Sequence, residues 1–283
     1  MTKIAFVTDS TAYIPQSLLK QYPMIHVIPQ VLIWGNETFR DGVDITPSEF
    51  YTRLQHATVM PSSSQATPKT FEATYQSLLS QGYQILSVHI SSLLSGTVDS
   101  AVQAKAALGD VPIEIVDSRT TSMAMGFMIL EAARAAEQGA TLAECKQLVE
   151  AAIQRTGVLV TVDTLEFLHR GGRIGGVSRY LGTALNIKPI IELTNGRLEP
   201  VERVRTRSKA IARLIELLGE RTGGDKPLHV ACLHANVEYD AQAVLKQVES
   251  RYQVVEGLVA DVSPVVGAHV GPGTLGIAYM IQA

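Results

Sequence analysis

Short apolar runs that end in hydroxyl, acid or glycine residues recur along the chain, and this alternation sets out most of its elements. Residues 3–7 are apolar and lead into Thr8-Asp9-Ser10-Thr11, the pattern of a buried strand with a polar loop at its carboxyl end. Residues 25–34 form a second apolar run, closed by a Gly35-Asn36 turn. Thr46-Pro47-Ser48-Glu49 then supplies an N-cap, a proline at the first helical position and a capping-box glutamate, which predicts a helix through Gln55. The hydroxyl-rich stretch 61–68, PSSSQATP, reads as a loop that opens another helix, with Thr67 as cap and Pro68 next. Residues 84–90 predict a buried strand running into Ser91-Ser92-Leu93-Leu94-Ser95-Gly96-Thr97 and a helix over 97–108. In open α/β sheets ligands gather at such carboxyl ends, where free N–H groups of a helix N-terminus face an anion. Residues 113–116 repeat the design before Asp117-Ser118. The segment 121–138 is apolar around most of a helix through Met123, Met125, Phe127, Met128, Ile129 and Leu130, so it is either buried on all sides or lines a cavity. Thr141 with Glu144 is a second capping box, for a helix reaching about Thr156.

After Gly157 the strand signals crowd together. Strands over 188–193 and 197–205 flank Thr194-Asn195-Gly196, the strongest short-range hairpin signal. A helix over 208–219, a strand over 228–234, a helix from Val237 to Arg251 capped by Asn236, and a strand over 254–262 follow. A glycine-rich loop over 264–274 leads to a final strand over 275–281. The pattern predicts an α/β protein of two rigidly packed domains. Residues 1–157 form a Rossmann-like parallel sheet of about four strands with flanking helices and right-handed crossovers, and residues 158–283 form an α/β domain with a mixed sheet.

Composition narrows the function. At 283 residues the chain is long enough for two ordinary domains, and 46% hydrophobic against 18% charged residues leaves apolar surface to face a ligand. A net charge of −3 argues against a nucleic-acid binder. Cys145 and Cys232 lie apart, without metal-ligand spacing, and read as buried thiols in a reducing compartment, with neither a metal site nor a disulfide. The sequence enters a strand at once and has no apolar run of 18 residues, so a cytoplasmic protein without a transmembrane segment is expected.

Candidate chemistry concentrates in residues 163–188. Gly171 and Gly172 permit unusual backbone angles and close approach, and Arg173 follows beside Ile174 and the apolar run 180–187. A fixed guanidinium next to apolar surface suits an anionic amphiphile; alternatively, the glycines form a helix C-cap and Arg173 is a solvated or structural charge. His269 lies between glycines and either donates to a carboxylate, acts as a base or is structural. The remaining histidines have no acid or cysteine partner at useful spacing. A hydrolase pairing of Ser95 with His269 lacks the G-x-S-x-G elbow, and neither a P-loop nor a G-x-G-x-x-G nucleotide motif is present. Arg203, Arg205 and Arg207 alternate, placing three cations on one face of an extended segment, as a solvated edge or as a docking patch for an acidic partner.

Taken together, VTDST, SSSQATP, ISSLLSGT, VDSRTTSMAMG, DTLEFLHRGGRIGG with NIKPII, RVRTRSKA and HVGPGTLG resemble the DegV family of bacterial fatty-acid-binding proteins over nearly the whole chain. The resemblance implies two α/β domains with a long-chain fatty acid between them. It also implies a non-catalytic subunit, without a cofactor, that presents the fatty-acid carboxyl to a separate ATP-binding kinase subunit for acyl phosphate formation in phospholipid synthesis. By the same resemblance Ser63, Ser95, Arg173 and His269 contact the head group, and Arg205 engages the kinase. Where the family more often has TSQPS, this chain reads Ser63-Ser64-Gln65-Ala66-Thr67, keeping the first hydroxyl and lacking the proline. Burial of about 0.8 kcal/mol per methylene gives some 14 methylenes roughly 11 kcal/mol. A head-group hydrogen bond adds about 0.5 to 3 kcal/mol. The tail should therefore set affinity, and Arg173, Ser95 and His269 the orientation. The alternative is an autonomous acyl hydrolase or acyltransferase using Ser95 with His269.

Overall fold

Alternate residues of the first strand serve two different layers, and the N-terminal half is built around that fact. The computed structural model describes residues 3–180 and 187–283. Its first elements are β1 (Lys3–Asp9), α1 (Gln16–Gln21), β2 (Ile25–Ile28), β3 (Val31–Trp34), β4 (Glu37–Arg40), α2 (Pro47–Leu54) and β5 (Ser62–Ser64). They continue through α3 (Pro68–Ser80), β6 (Tyr83–His89), α4 (Thr97–Leu108), β7 (Ile113–Asp117), α5 (Ser122–Glu137) and α6 (Leu142–Ala152). Strands β2, β1, β6 and β7 lie side by side in that order, every pair parallel. Ala5 and Val7 of β1 point to α3 and α4, where Phe71, Tyr75 and Ala104 cover them. Ile4 and Phe6 point the other way, into the cluster that holds α5.

Local signals placed the helix starts well. Thr46 with Glu49 and Thr141 with Glu144 form reciprocal capping boxes, and the Thr67 side chain accepts from the Thr70 N–H. The apolar run 25–34, by contrast, is two strands in two sheets. Pro29, which has no N–H to give a ladder, and Gln30 interrupt it. Beyond the break β3 pairs antiparallel with both β4 and β5, a three-stranded sheet that the hydrophobic pattern did not reveal. Ser62–Ser64 is thus a strand rather than a plain loop.

The second half contains β8 (Thr156–Thr161), α7 (Glu166–Arg170), β9 (Lys188–Thr194), β10 (Arg197–Val204), α8 (Arg207–Thr222) and β11 (Leu228–His234). Then come α9 (Glu238–Arg251), β12 (Val254–Asp261), α10 (Pro264–Val270) and β13 (Leu275–Ile281). The sheet runs β10-β9-β8-β13-β11-β12 and is mixed: β11 and β12 are parallel and the other pairs antiparallel. Asn195 and Gly196, with φ of 50° and 80°, make the tight hairpin turn. Three expectations are corrected. The glycine-rich segment before Thr274 is mostly helix α10, capped by the Ser263 side chain on the Val266 N–H. Val237, not Asn236, is the N-cap of α9, and Asn236 sits at φ 62°. Arg203, Arg205 and Arg207 do not share a face: Arg203 lies over the Tyr180 ring, Arg205 is in the connection after β10, and Arg207 begins α8, paired with Asp240. Most of the apolar run expected at 180–187 falls on residues 181–186, outside the described residues.

The apolar stretch of helix α5 is buried on all sides, and the helix meets the cleft only at its first residue, Ser122. Met123, Met125, Phe127, Met128, Ile129 and Leu130 are each at most 1% exposed. The helix packs against β1 and β6 on one side and β8, β11 and β13 on the other, so one apolar cluster draws on both halves. The opposite face of the six-stranded sheet is covered by α8 and α9. Cys145 and Cys232 are free and buried. Helix α10 is seated on α2 at Gly267, where a Cβ would meet Phe50 Cε1 at 2.8 Å and the Tyr51 ring. The Tyr51 hydroxyl in turn donates to the Val262 carbonyl at 2.9 Å. Gly267→Ala should therefore overpack this contact and lower stability by about 1–3 kcal/mol in urea unfolding; unchanged stability would show that α10 is not held against α2.

Candidate functional site

A cleft lies between the two sheets, and its walls differ in character. Along one wall β8 contributes Val158 and Val160, β9 contributes Ile191 and Leu193, and β10 contributes Leu198. Spacing by two puts each pair on one face of its strand. The antiparallel register sets Val158 beside Leu193 and Val160 beside Ile191, with Leu198 opposite Leu193, so the wall is a continuous apolar patch. Facing it are the loops after β1, β6 and β7, which bring Thr11, Ser95 and Thr121. The cleft holds about 1020 Å³ of space free of protein atoms, its open mouth included.

Ser63, Ser95, Arg173 and His269 all line this one cleft. Ser63 lies on β5, held there by pairing with Leu32, and its Oγ is 2.7 Å from His269 Nε2. His269 is in the last turn of α10, and its Nδ1 is buried without a hydrogen-bond partner. The imidazole packs on the backbone of Gly171, where any Cβ would overlap the ring. Gly171 thus serves close approach, at an ordinary φ of −74°, while Gly172 at φ 68° supplies the unusual angle. Gly171 also ends α7, so the C-cap and the site are the same feature. The turned chain folds Arg173 back, its Nη1 donating to Gly171 O at 2.9 Å and its Nε to Leu94 O at 3.2 Å. Its Nη2 has no partner among the described residues. Ser95 Oγ is 2.8 Å from Thr97 Oγ1. Ser95 and His269 are therefore not paired with each other; the imidazole meets Ser63. Arg205 is exposed and lies outside the cleft lining.

The electrostatics favour an anion. No aspartate or glutamate is found among the described lining residues, and Arg173 carries the one formal positive charge there. Burial, with Arg173 nearby, pushes the His269 imidazole down to about 4, so it is neutral at neutral pH. The loops before α4 and α5 also line the cleft, so the positive ends of two helices are turned toward it. Chemically, the site suits one negative group on an extended apolar body.

The family profile described as "uncharacterised protein, DegV family" matches residues 3–282. This chain belongs to the DegV family. Protein DegV of Bacillus subtilis is 34% identical over 282 residues, spanning 99% of each chain. A DegV domain-containing protein of Streptomyces coelicolor is 39% identical over 276 residues, 97% of each. Among solved structures, a DegV family protein of Thermus thermophilus described as fatty acid binding has a TM-score of 0.93 at 34% identity, covering 99% of this chain and 100% of that one. B. subtilis DegV, described as a fatty acid binding protein, gives 0.90 at 33%, with both chains covered in full.

Several site residues of this DegV chain were not visible as such in its sequence. Gln30 and Thr11 line the cleft, and Thr97 backs Ser95. Two histidines whose sequence neighbours offer no acid meet one across the sheets: His89 Nδ1 is 3.1 Å from Asp9 and His229 Nδ1 is 2.9 Å from Glu256, whereas His234 Nδ1 lies 3.7 Å from Asp261 without a hydrogen bond. A buried chain runs from Tyr75 to Ser87, His89 and Asp9, which accepts from the Thr11 N–H and hydroxyl. It resembles a nucleophile, base and acid in order, yet Ser87 and His89 are 0% exposed. The chain holds the Thr11 loop in place. The sequence signal was the pairing of polar Ser87 and His89 on one face of a buried strand.

His269 makes stability depend on pH with a definite sign. Its folded value of about 4 lies below the ordinary 6.5, so between the two the unfolded chain binds the extra proton. The stabilisation is complete above 6.5 and lost as pH falls through about 4, on the order of 3 kcal/mol at most. NMR titration should find the ring still neutral at pH 5, and His269→Gln should flatten this part of the stability curve. A ring midpoint at its ordinary value would contradict the burial argument.

Proposed function

We propose that this chain binds one long-chain fatty acid, its carboxylate at the Ser63, Ser95, Arg173 and His269 end of the cleft and its tail along the wall formed by β8, β9 and β10. The observation that carries this is the convergence of those four side chains at an apolar cleft with no acidic residue among its described lining residues. The fatty-acid binding described for the Thermus and Bacillus relatives supports it. With about 0.8 kcal/mol per buried methylene, the tail dominates affinity. Hydrogen bonds to a charged head group, about 1.5–3 kcal/mol each, fix its position.

We further propose that the chain is a non-catalytic carrier that offers the carboxyl group to a separate ATP-binding kinase subunit, which forms acyl phosphate for phospholipid synthesis in the cytoplasm. Arg205 is the docking residue in this scheme. It is exposed and without an ion-pair partner among the described residues, as a docking cation should be. An autonomous hydrolase is disfavoured because His269 has no acid at Nδ1 to orient it and does not meet Ser95. Two domains, 1–157 and 158–283, with the lipid between them, complete the scheme. The parallel sheet lies wholly in the first, and the six-stranded sheet begins at Thr156. No helix of the described residues is long and apolar enough to cross a membrane.

Mass spectrometry of lipid extracted from the denatured purified protein should find fatty acid in close to equimolar amount; its consistent absence, with no uptake of added fatty acid, would refute binding. Arg205→Ala should leave the lipid content unchanged and lower acyl phosphate formation with the kinase subunit about tenfold, the loss of one charge-assisted contact. If lipid is lost as well, Arg205 is not a docking residue.

A further inference from the structure

We infer that Gln30 sets the direction of the hydroxyl hydrogen bonds at the polar end of the cleft, so that Ser95 presents its O–H to the ligand and the site selects a carboxylate over an uncharged head group. The ligand in this inference rests on the fatty-acid reading above; the direction of the hydrogen bonds does not.

Gln30 lies between β2 and β3, where the chain passes from one sheet to another, and is 3% exposed. All of its polar groups are engaged. Its backbone N–H donates to Ser10 Oγ at 3.0 Å, and its carbonyl accepts from the Asp41 N–H at 2.9 Å. Ser10 in turn donates to Asp41 Oδ2 at 2.6 Å, which anchors this backbone from behind. The side-chain amide bridges the Ala66 N–H and Thr97 Oγ1, each at 2.9 Å. It therefore ties the strand segment carrying Ser63 to the helix start carrying Ser95.

The orientation of that amide follows from chemistry. A backbone N–H can only donate, so the atom facing Ala66 is the amide oxygen, and the NH₂ must face Thr97. One lone pair of Thr97 Oγ1 is thereby occupied. Thr97 is 0% exposed, and its hydroxyl hydrogen needs an acceptor. Ser95 Oγ, at 2.8 Å, is the only other hydrogen-bond partner of that hydroxyl among the described residues. Thr97 therefore donates to Ser95. A hydroxyl has a single hydrogen, and that of Ser95 is left free where the residue lines the cleft. An ionised carboxylate only accepts, so a donor held in this direction matches it.

Replacing Gln30 by Glu keeps the shape and inverts the chain. A carboxylate accepts from Ala66 and from Thr97, Thr97 then accepts from Ser95, and Ser95 turns lone pairs to the ligand. Binding of hexadecanoate to Gln30→Glu should weaken by about tenfold or more, while hexadecanol, which can donate as well as accept, changes by less than about threefold. In a Ser95→Ala background the added effect of Gln30→Glu on hexadecanoate should shrink to less than about threefold, because the relay then has no end. Equal weakening for both ligands, or a full effect persisting without Ser95, would overturn the inference and assign Gln30 a role through shape or bulk charge. Neutron diffraction from the unliganded wild-type protein tests the direction without lipid. Deuterium on Thr97 Oγ1 pointing to Ser95 is expected, and deuterium on Ser95 pointing to Thr97 refutes the inference. Failure of hexadecanoate to bind the wild type would sink the fatty-acid reading and leave the neutron result to decide this one.

Discussion

A helical stretch with no wet face has to be enclosed by something, and the stretch 122–130 of α5 is enclosed by two sheets. Met123, Met125, Phe127, Met128, Ile129 and Leu130 point around its circumference, so neither the parallel sheet nor the six-stranded sheet alone could cover it. Burying it presses the two halves together along one edge. Beside that contact, α8 and α9 occupy only one face of β8, β9 and β10, and the other face lines the cleft, with Leu168 of α7 and Val270 of α10 packed against it. The apolar wall of the cleft is thus a consequence of how the core is closed.

The polar end obeys a second constraint. A carboxylate leaving water loses several kcal/mol of solvation unless donors replace it, so a buried anion site must contain donors and exclude acids. The parallel sheet meets that demand by topology. Its strands deliver their loops to one edge, and β1, β6 and β7 all contribute hydroxyls there. The six-stranded half adds Arg173 and His269 through the close contact of Gly171 with the imidazole. Keeping His269 neutral through burial leaves the guanidinium as the one full charge among the described lining residues.

What the sequence displayed and what it concealed divide along a physical line. The capping boxes at Thr46 and Thr141 and the Asn195-Gly196 turn are interactions between near neighbours, so the residues alone reveal them. The three-stranded sheet was hidden because Ser62–Ser64 has little strand preference and is held by distant partners, β3 in the sheet and His269 of α10. Helix α10 was hidden because its glycines favour a loop, yet Gly267 is what lets the helix lie on Phe50 and Tyr51. The four residues implied by family resemblance converge in space. Gln30 gave only a faint signal, a polar side chain inside an apolar run, because its partners at Ser10, Ala66 and Thr97 come from three other segments. Asp9 and His89 were missed for the same reason, being 80 residues apart and meeting only once the sheet has formed.

The central claim is that one cleft has an anion-binding end and an apolar wall, and that a single amphiphile uses both. A crystal structure of the protein with a saturated long-chain fatty acid tests this most directly. The account predicts the carboxylate within hydrogen-bonding distance of the Ser95 hydroxyl and at least one of Ser63, Arg173 and His269, with the chain lying against Val160, Ile191 and Leu198. A carboxylate facing solvent with the tail elsewhere, or a lipid bound outside this cleft, would contradict it.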